Sequence, residues 1–166
     1  MVQLIKHGDI YTTGQASIGD KKYRDKTRRY IQVAQAIYPF LKERMTLPDD
    51  VKVVVGFTRG KRNLGFYQND GKQCFIDPRH QGMWKFVDSM IHELTHAQQY
   101  FTGKLEHKYS RVYESWIPVW EDKEWGKYAT SHKKYLAQPW EVEARATASK
   151  LSREIREAGI LSEIDG

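Results

Sequence analysis

The chain has 166 residues, 40% of them hydrophobic, which fits one folded domain and argues against wholesale disorder. Lys and Arg total 27 against 21 Asp and Glu, and the resulting net charge of +6 permits weak contact with nucleic acid or acidic surfaces. A single cysteine, Cys74, excludes an internal disulfide framework and any multi-cysteine zinc or iron–sulfur site.

No apolar run approaches ~18 residues, so no membrane span is expected. Residues 1–20 lack a long apolar stretch and do not read as a secretory signal. A soluble, cytoplasmic protein is therefore expected. The same twenty residues hold Gly8, Gly14 and Gly19 among few apolar side chains, and read as an irregular N-terminal arm ahead of one domain over 21–166.

Helical periodicity starts near Tyr23. Tyr30, Val33, Ala34, Ile37 and Leu41 form one stripe, and Pro39 within it is expected to kink or end the helix. The helix start carries a basic cluster (Lys21, Lys22, Arg24, Lys26, Arg28, Arg29), and Arg59, Lys61 and Arg62 form a second. A solvated helix face and a hairpin tip account for these clusters; nucleic-acid contact is the alternative. Val51, Val53, Val54, Val55 and Phe57 predict a strand, followed by a hairpin loop at 59–63. Leu64, Phe66 and Tyr67 suggest a second strand, Asn69-Asp70-Gly71 a turn, and 73–77 a third strand stopped by Pro78. Short connections predict a three-stranded antiparallel meander.

A long helix is expected over 83–102, stopped by Gly103, with Met83, Val87, Met90, Leu94, Ala97 and Phe101 as its buried face. Residues 104–138 read as an irregular insert rich in aromatics (Tyr109, Tyr113, Trp116, Trp120, Trp125, Tyr128, Tyr135), not all of them exposed. Pro139 then opens a last helix with the stripe Ala144, Ala148, Leu151, Ile155 and Ala158, ended by Gly159. The whole predicts an α+β protein.

The segment with chemical content is His92-Glu93-Leu94-Thr95-His96, an HExxH motif inside the long helix. Histidines at i and i+4 share a helix face and can present two nitrogens to one zinc ion at ~2.1 Å. The glutamate after the first histidine projects beside the metal, placed to take a proton from water. At ~100° per residue, both histidines point roughly 200–240° from Met90, clear of the core stripe. A catalytic zinc takes three protein ligands and an open position. Position 102, where a metzincin has its third histidine, is Thr102, which leaves His107, His132, Glu141 and Glu143 as candidates.

With these residues the chain resembles the gluzincin metallopeptidases, in which a glutamate on a later helix completes the HExxH site. The stretch Pro139-Trp140-Glu141-Val142-Glu143-Ala144-Arg145 is similar to the E-x-x-A-(D/N) helix of the Ste24/HtpX and ImmA/IrrE types, and also to small phage and bacterial zincin domains. That resemblance implies a minimal zincin-like fold: helix, small sheet, HExxH helix, aromatic insert, glutamate helix. It implies Glu141 as third ligand; a thermolysin-like pattern would choose Glu143 instead. Helical projection favours Glu141, at about +60° from Ala144 against about −100° for Glu143. Arg145 replaces the acidic or amide residue of those families.

The resemblance further implies a zinc-dependent peptidase with Glu93 as general base, acting on a peptide or protein. Tyr135, His132 and Tyr109 are candidate donors to the carbonyl oxygen. Strand 73–77 would be the edge that pairs with substrate. The alternatives are a nucleic-acid-associated zinc protein, or a SprT-like DNA-associated protease in which His132 takes the place of Glu141.

Overall fold

In the computed structural model, residues 3–13, 21–56, 64–70, 72–79, 81–127 and 129–165 are described. The predicted stripe of the first helix, α1 (Lys21–Met45), is buried at all five positions. Pro39 neither ends nor interrupts α1. Its ring lies on the exposed side of the helix. The carbonyl that loses its amide partner therefore faces solvent, while Ile37, Tyr38, Leu41 and Met45 hold the helix in the core.

A mixed α+β fold results, built on a five-stranded sheet in the order β1-β2-β3-β5-β4. The strands are β1 (Leu4–His7), β2 (Ile10–Thr13), β3 (Lys52–Val55), β4 (Gly65–Gln68) and β5 (Gln73–Ile76). Two expectations are corrected here. The first twenty residues are not an irregular arm throughout: β1 and β2 form a hairpin across Gly8, whose φ of 62° suits the tight turn, and β2 runs parallel to β3. Nor do the next three strands form a meander, because β5 inserts between β3 and β4, parallel to the first and antiparallel to the second. The reason is burial. Val53, Val54 and Val55 are all inaccessible, so β3 is covered on both faces and needs an interior place with two neighbours. The alternately exposed β4 takes the edge. The predicted hairpin loop at 59–63, with its basic cluster, lies outside the described residues.

Helix α2 (Met83–Phe101) buries Met83, Val87, Met90, Leu94 and Ala97 as expected, but Phe101 is 57% exposed where the chain leaves the helix at Gly103. Residues 104–138 are not irregular throughout. They form an antiparallel sheet of β6 (Leu105–Ser110), β7 (Ser115–Trp120) and β8 (Lys123–Glu124), then the short helix α3 (His132–Ala137). Of the insert's aromatic residues, Trp120 is buried against Leu105 and Trp140 in a small second core. Tyr109, Tyr113, Trp116, Trp125 and Tyr135 are largely exposed, and Tyr128 lies outside the described residues. Pro139 opens α4 (Pro139–Glu157), which buries Ala144, Ala148, Leu151 and Ile155; Ala158, at its C-terminal cap, is exposed. A last turn, α5 (Ser162–Asp165), packs against α1. No helix among the described residues is long and apolar enough to cross a membrane.

Helix α2 is the centre of this arrangement. It contacts α1, β4, β5 and β6, and packs most extensively against α4. The small side chains of Ala144 and Ala148 let the two helices approach closely, which sets residues near the start of α4 opposite the second half of α2. The β1–β2 hairpin belongs to the core through Ile10, which is fully buried. Ile10→Ala is expected to lower unfolding free energy by about 2–5 kcal/mol in chemical denaturation; a detached arm would leave the transition unmoved.

Candidate metal centre

Three side chains converge between α2 and α4. His92 Nε2 lies 2.9 Å from one carboxylate oxygen of Glu141, and His96 Nε2 lies 3.2 Å from the other. The ligand atoms of His92, His96 and Glu141 all fall within 4.8 Å of one another, and no other His, Cys, Asp or Glu among the described residues joins them. The imidazoles are one helical turn apart and nearly perpendicular, with ring centres at 4.9 Å. Their side chains are 22% and 12% exposed, against 5% for the Glu141 side chain.

The remaining candidates stand elsewhere. Glu143 accepts hydrogen bonds from Lys104 Nζ and, at 3.2 Å, from Gln99 Nε2. His107 packs against Tyr100 on the β6 side, the two rings tilted and their centres 5.3 Å apart. His132 begins α3 with its side chain exposed. Neither histidine joins the group.

The surroundings hold the three groups in orientation. His96 Nδ1 lies 2.9 Å from Gln99 Oε1. An amide oxygen only accepts, so Nδ1 carries a proton, and in the neutral ring it is Nε2 that is left with a lone pair facing the centre. Gln99 is itself buried and donates to Trp140 O at 3.0 Å, which ties His96 to the start of α4. Tyr135 donates its hydroxyl to Glu141 Oε1 at 2.9 Å. Arg145 donates to Leu136 O and joins α4 to α3 instead of orienting a histidine. Gln99 was not singled out from sequence, although its place three residues after His96 on the same helix face was a usable signal.

The electrostatics follow from burial and this convergence. Burial alone would raise the Glu141 pKa, but hydrogen bonds and charge from His92 and His96 outweigh it and hold the carboxyl well below its usual range. For His96, burial works downward, and the bond and charge of Glu141 with the charge of Glu93 prevail, so its pKa is raised. Glu93 is raised, chiefly by burial, with the imidazoles opposing and Glu141 reinforcing the shift. Burial, then Glu141, likewise raises the Tyr135 phenol.

Glu93 lines both halves of a cleft along the edge strand β4. One half, of about 720 Å³, opens between α2 and α4; the other, of about 360 Å³, opens towards β6 and α3. Gly65, Glu93 and Tyr135 are common to both. A β-carbon at Gly65 would come within 2.8 Å of Phe75 O, so the close approach of β4 to the β5 backbone requires glycine, and at 3.3 Å from Glu93 Cγ it would also crowd the Glu93 side chain. The expected edge is also corrected: strand 73–77 is interior as β5, and among the described residues the edge strand on this side of the sheet is β4.

The donor set fits a divalent transition metal. Two neutral imidazole nitrogens and one carboxylate, with a carboxylate and a phenol beside them but not among them, is the ligand composition of an open zinc site. Searches against family models, curated proteins and solved structures returned no match for this chain.

Two outcomes are expected. Purified protein should bind about one zinc per chain by metal analysis; His92→Ala and Glu141→Ala should lose it, and Glu143→Ala should keep it. In chelator-treated protein the cluster should stabilise the fold most between pH 4.5 and 6.5, the ordinary values of the two groups. Stability from the depressed Glu141 is present above the lower bound and lost as pH falls through its folded value. Stability from the raised His96 is complete below the upper bound and lost as pH rises through its folded value. The melting-temperature difference between unaltered protein and Glu141→Gln, followed against pH, should peak in that window.

Proposed function

We propose that this chain is a zinc-dependent metallopeptidase of gluzincin type. The observation that carries the reading is the convergence of His92, His96 and Glu141 from two helices, with the half-buried carboxylate of Glu93 beside them in an open cleft. Glu141 was the ligand implied by resemblance, and its place between the imidazoles supports that reading.

A zinc ion held by these three side chains would supply Lewis acidity toward water and the scissile carbonyl. Glu93 accepts the proton of the attacking water on a carboxylate oxygen, as the new C–O bond forms. The same carboxyl then passes that proton on. Delivery to the amine nitrogen, as the C–N bond breaks, returns Glu93 to its starting form. The carbonyl oxygen gains negative charge in this step and needs a hydrogen-bond donor. Tyr135 is the best placed of the three candidates, since its hydroxyl sits at Glu141 and its side chain lines both halves of the cleft. His132 and Tyr109 line neither half. The outer side of β4, which no strand among the described residues pairs with, offers backbone donors and acceptors to an extended peptide.

A nucleic-acid-associated zinc protein is the alternative, and the cationic start of α1 is the feature in its favour. The SprT-like version draws no support from His132, which stands apart from the ligand group.

Glu93→Gln should retain zinc and the melting temperature of the unaltered chain, but lower peptide hydrolysis by about 10²–10⁴-fold. Unimpaired hydrolysis by this variant would remove the base assignment. Zinc retention with no hydrolysis by the unaltered chain, across a broad peptide mixture, would remove the peptidase reading.

A further inference from the structure

The two halves of the cleft differ in chemistry. The larger half is lined by Lys85, Arg145, Arg153 and Arg156, with Asp88 as the acid opposing them apart from Glu93. Asp88 is already engaged by the Ser152 hydroxyl. None of the four cations forms an ion pair among the described residues, and all four are exposed. Helical spacing explains the clustering. Arg145, Arg153 and Arg156 fall at i, i+8 and i+11 on α4, within about 80° of one another. Lys85 stands two turns before His92, on the same side of α2. Like charges on one helix face repel, and an anion between the helices would relieve that. Two of the cations are also held in place: Arg145 by its bond to Leu136 O, and Arg156 by stacking 4.2 Å over the Trp84 ring. The smaller half is lined instead by rings, among them Phe66, Tyr67, Tyr100 and Trp140.

Strand direction orients these halves relative to a substrate. β4 runs from Gly65, common to both halves, to Phe66 and Tyr67 in the aromatic half, and Leu64 before it lies in the cationic half. Antiparallel pairing is the more stable ladder, and β4 already pairs that way with β5. A peptide added antiparallel to β4 therefore enters by the aromatic half and leaves by the cationic one.

We infer that the cleft selects polypeptide segments with aromatic residues before the scissile bond and acidic residues, or a free carboxylate, after it. This specificity rests on the peptidase reading. Lys85 and Arg153 are its charge-selecting residues. A peptide is favoured over a nucleic acid because the cationic wall is continuous with His92 and Glu93 and ends in a ring-lined pocket on the same strand.

The test uses three labelled peptides of equal length. The first has aromatic residues before its central bond and glutamates after it; the second reverses that order; the third replaces the glutamates by lysines. Binding is read by fluorescence anisotropy on the full-length Glu93→Gln chain, and cleavage positions are read by mass spectrometry on the unaltered chain. The first peptide should bind roughly tenfold or more tightly than the others. Its advantage should shrink with salt and reverse towards the lysine peptide in the Lys85→Glu and Arg153→Glu variants, whose altered side chains are exposed and leave the fold intact. Cleavage should fall directly before the glutamates. Equal binding of all three, or preference for the second, overturns the inference. So does displacement of the first peptide by a single-stranded oligonucleotide that binds more tightly than it does. Cleavage without charge preference overturns the inference and leaves the peptidase reading standing; charge-selective binding without any cleavage overturns the peptidase reading and with it the scissile-bond assignment, leaving only a charge-selective peptide-binding cleft.

Discussion

The contact between α2 and α4 is the constraint on which the rest depends. A carboxylate as buried as Glu141 is costly unless something compensates its charge, and two imidazoles at 2.9 and 3.2 Å do so. Those imidazoles share a face only because α2 is helical through the motif, and they meet Glu141 only because small alanines let α4 come close. Gln99 fastens this arrangement from within, bonding a histidine on one side and the first turn of the opposite helix on the other. Site geometry and helix packing are thus one problem with one solution. A substitution that loosens Ala144 or Gln99 acts on the donors without touching them.

Much of this was legible in the residues, for reasons that differ between elements. The stripes of α1, α2 and α4 could be read because amphipathic helices repeat every 3.6 residues and bury one side. HExxH could be read because both donors lie within a single turn. Glu141 lies 49 residues from His92 and needed a resemblance together with a helical projection. The strand order was not legible: valine-rich β3 and half-polar β4 differ in burial, but sequence adjacency suggested neighbours where the fold inserts β5. The hairpin β1–β2 was hidden because only Ile10 among its residues is a fully buried hydrophobe.

The insert shows a different limit. Its many aromatics suggested burial, yet only Trp120 among the insert's described rings is withdrawn from solvent. The β6–β7 strands pair across exposed Tyr109 and Trp116, so ring contacts along a hairpin surface hold what a core would otherwise hold. Pro39 makes the complementary point: a residue with strong local preferences was overridden, because the helix around it is anchored by buried neighbours. Local rules identified the elements, and burial decided how they were ordered.

The open side of β4 has one more consequence. Proteins ordinarily blunt or cover the outermost strand of a sheet, since its unsatisfied backbone groups will accept any extended chain. Here, among the described residues, that row of amides and carbonyls has no strand partner beside Gly65 and the exposed Phe66, and a covering segment would close the cleft. Whatever threads into the groove and whatever would make two copies stick together must compete for the same atoms.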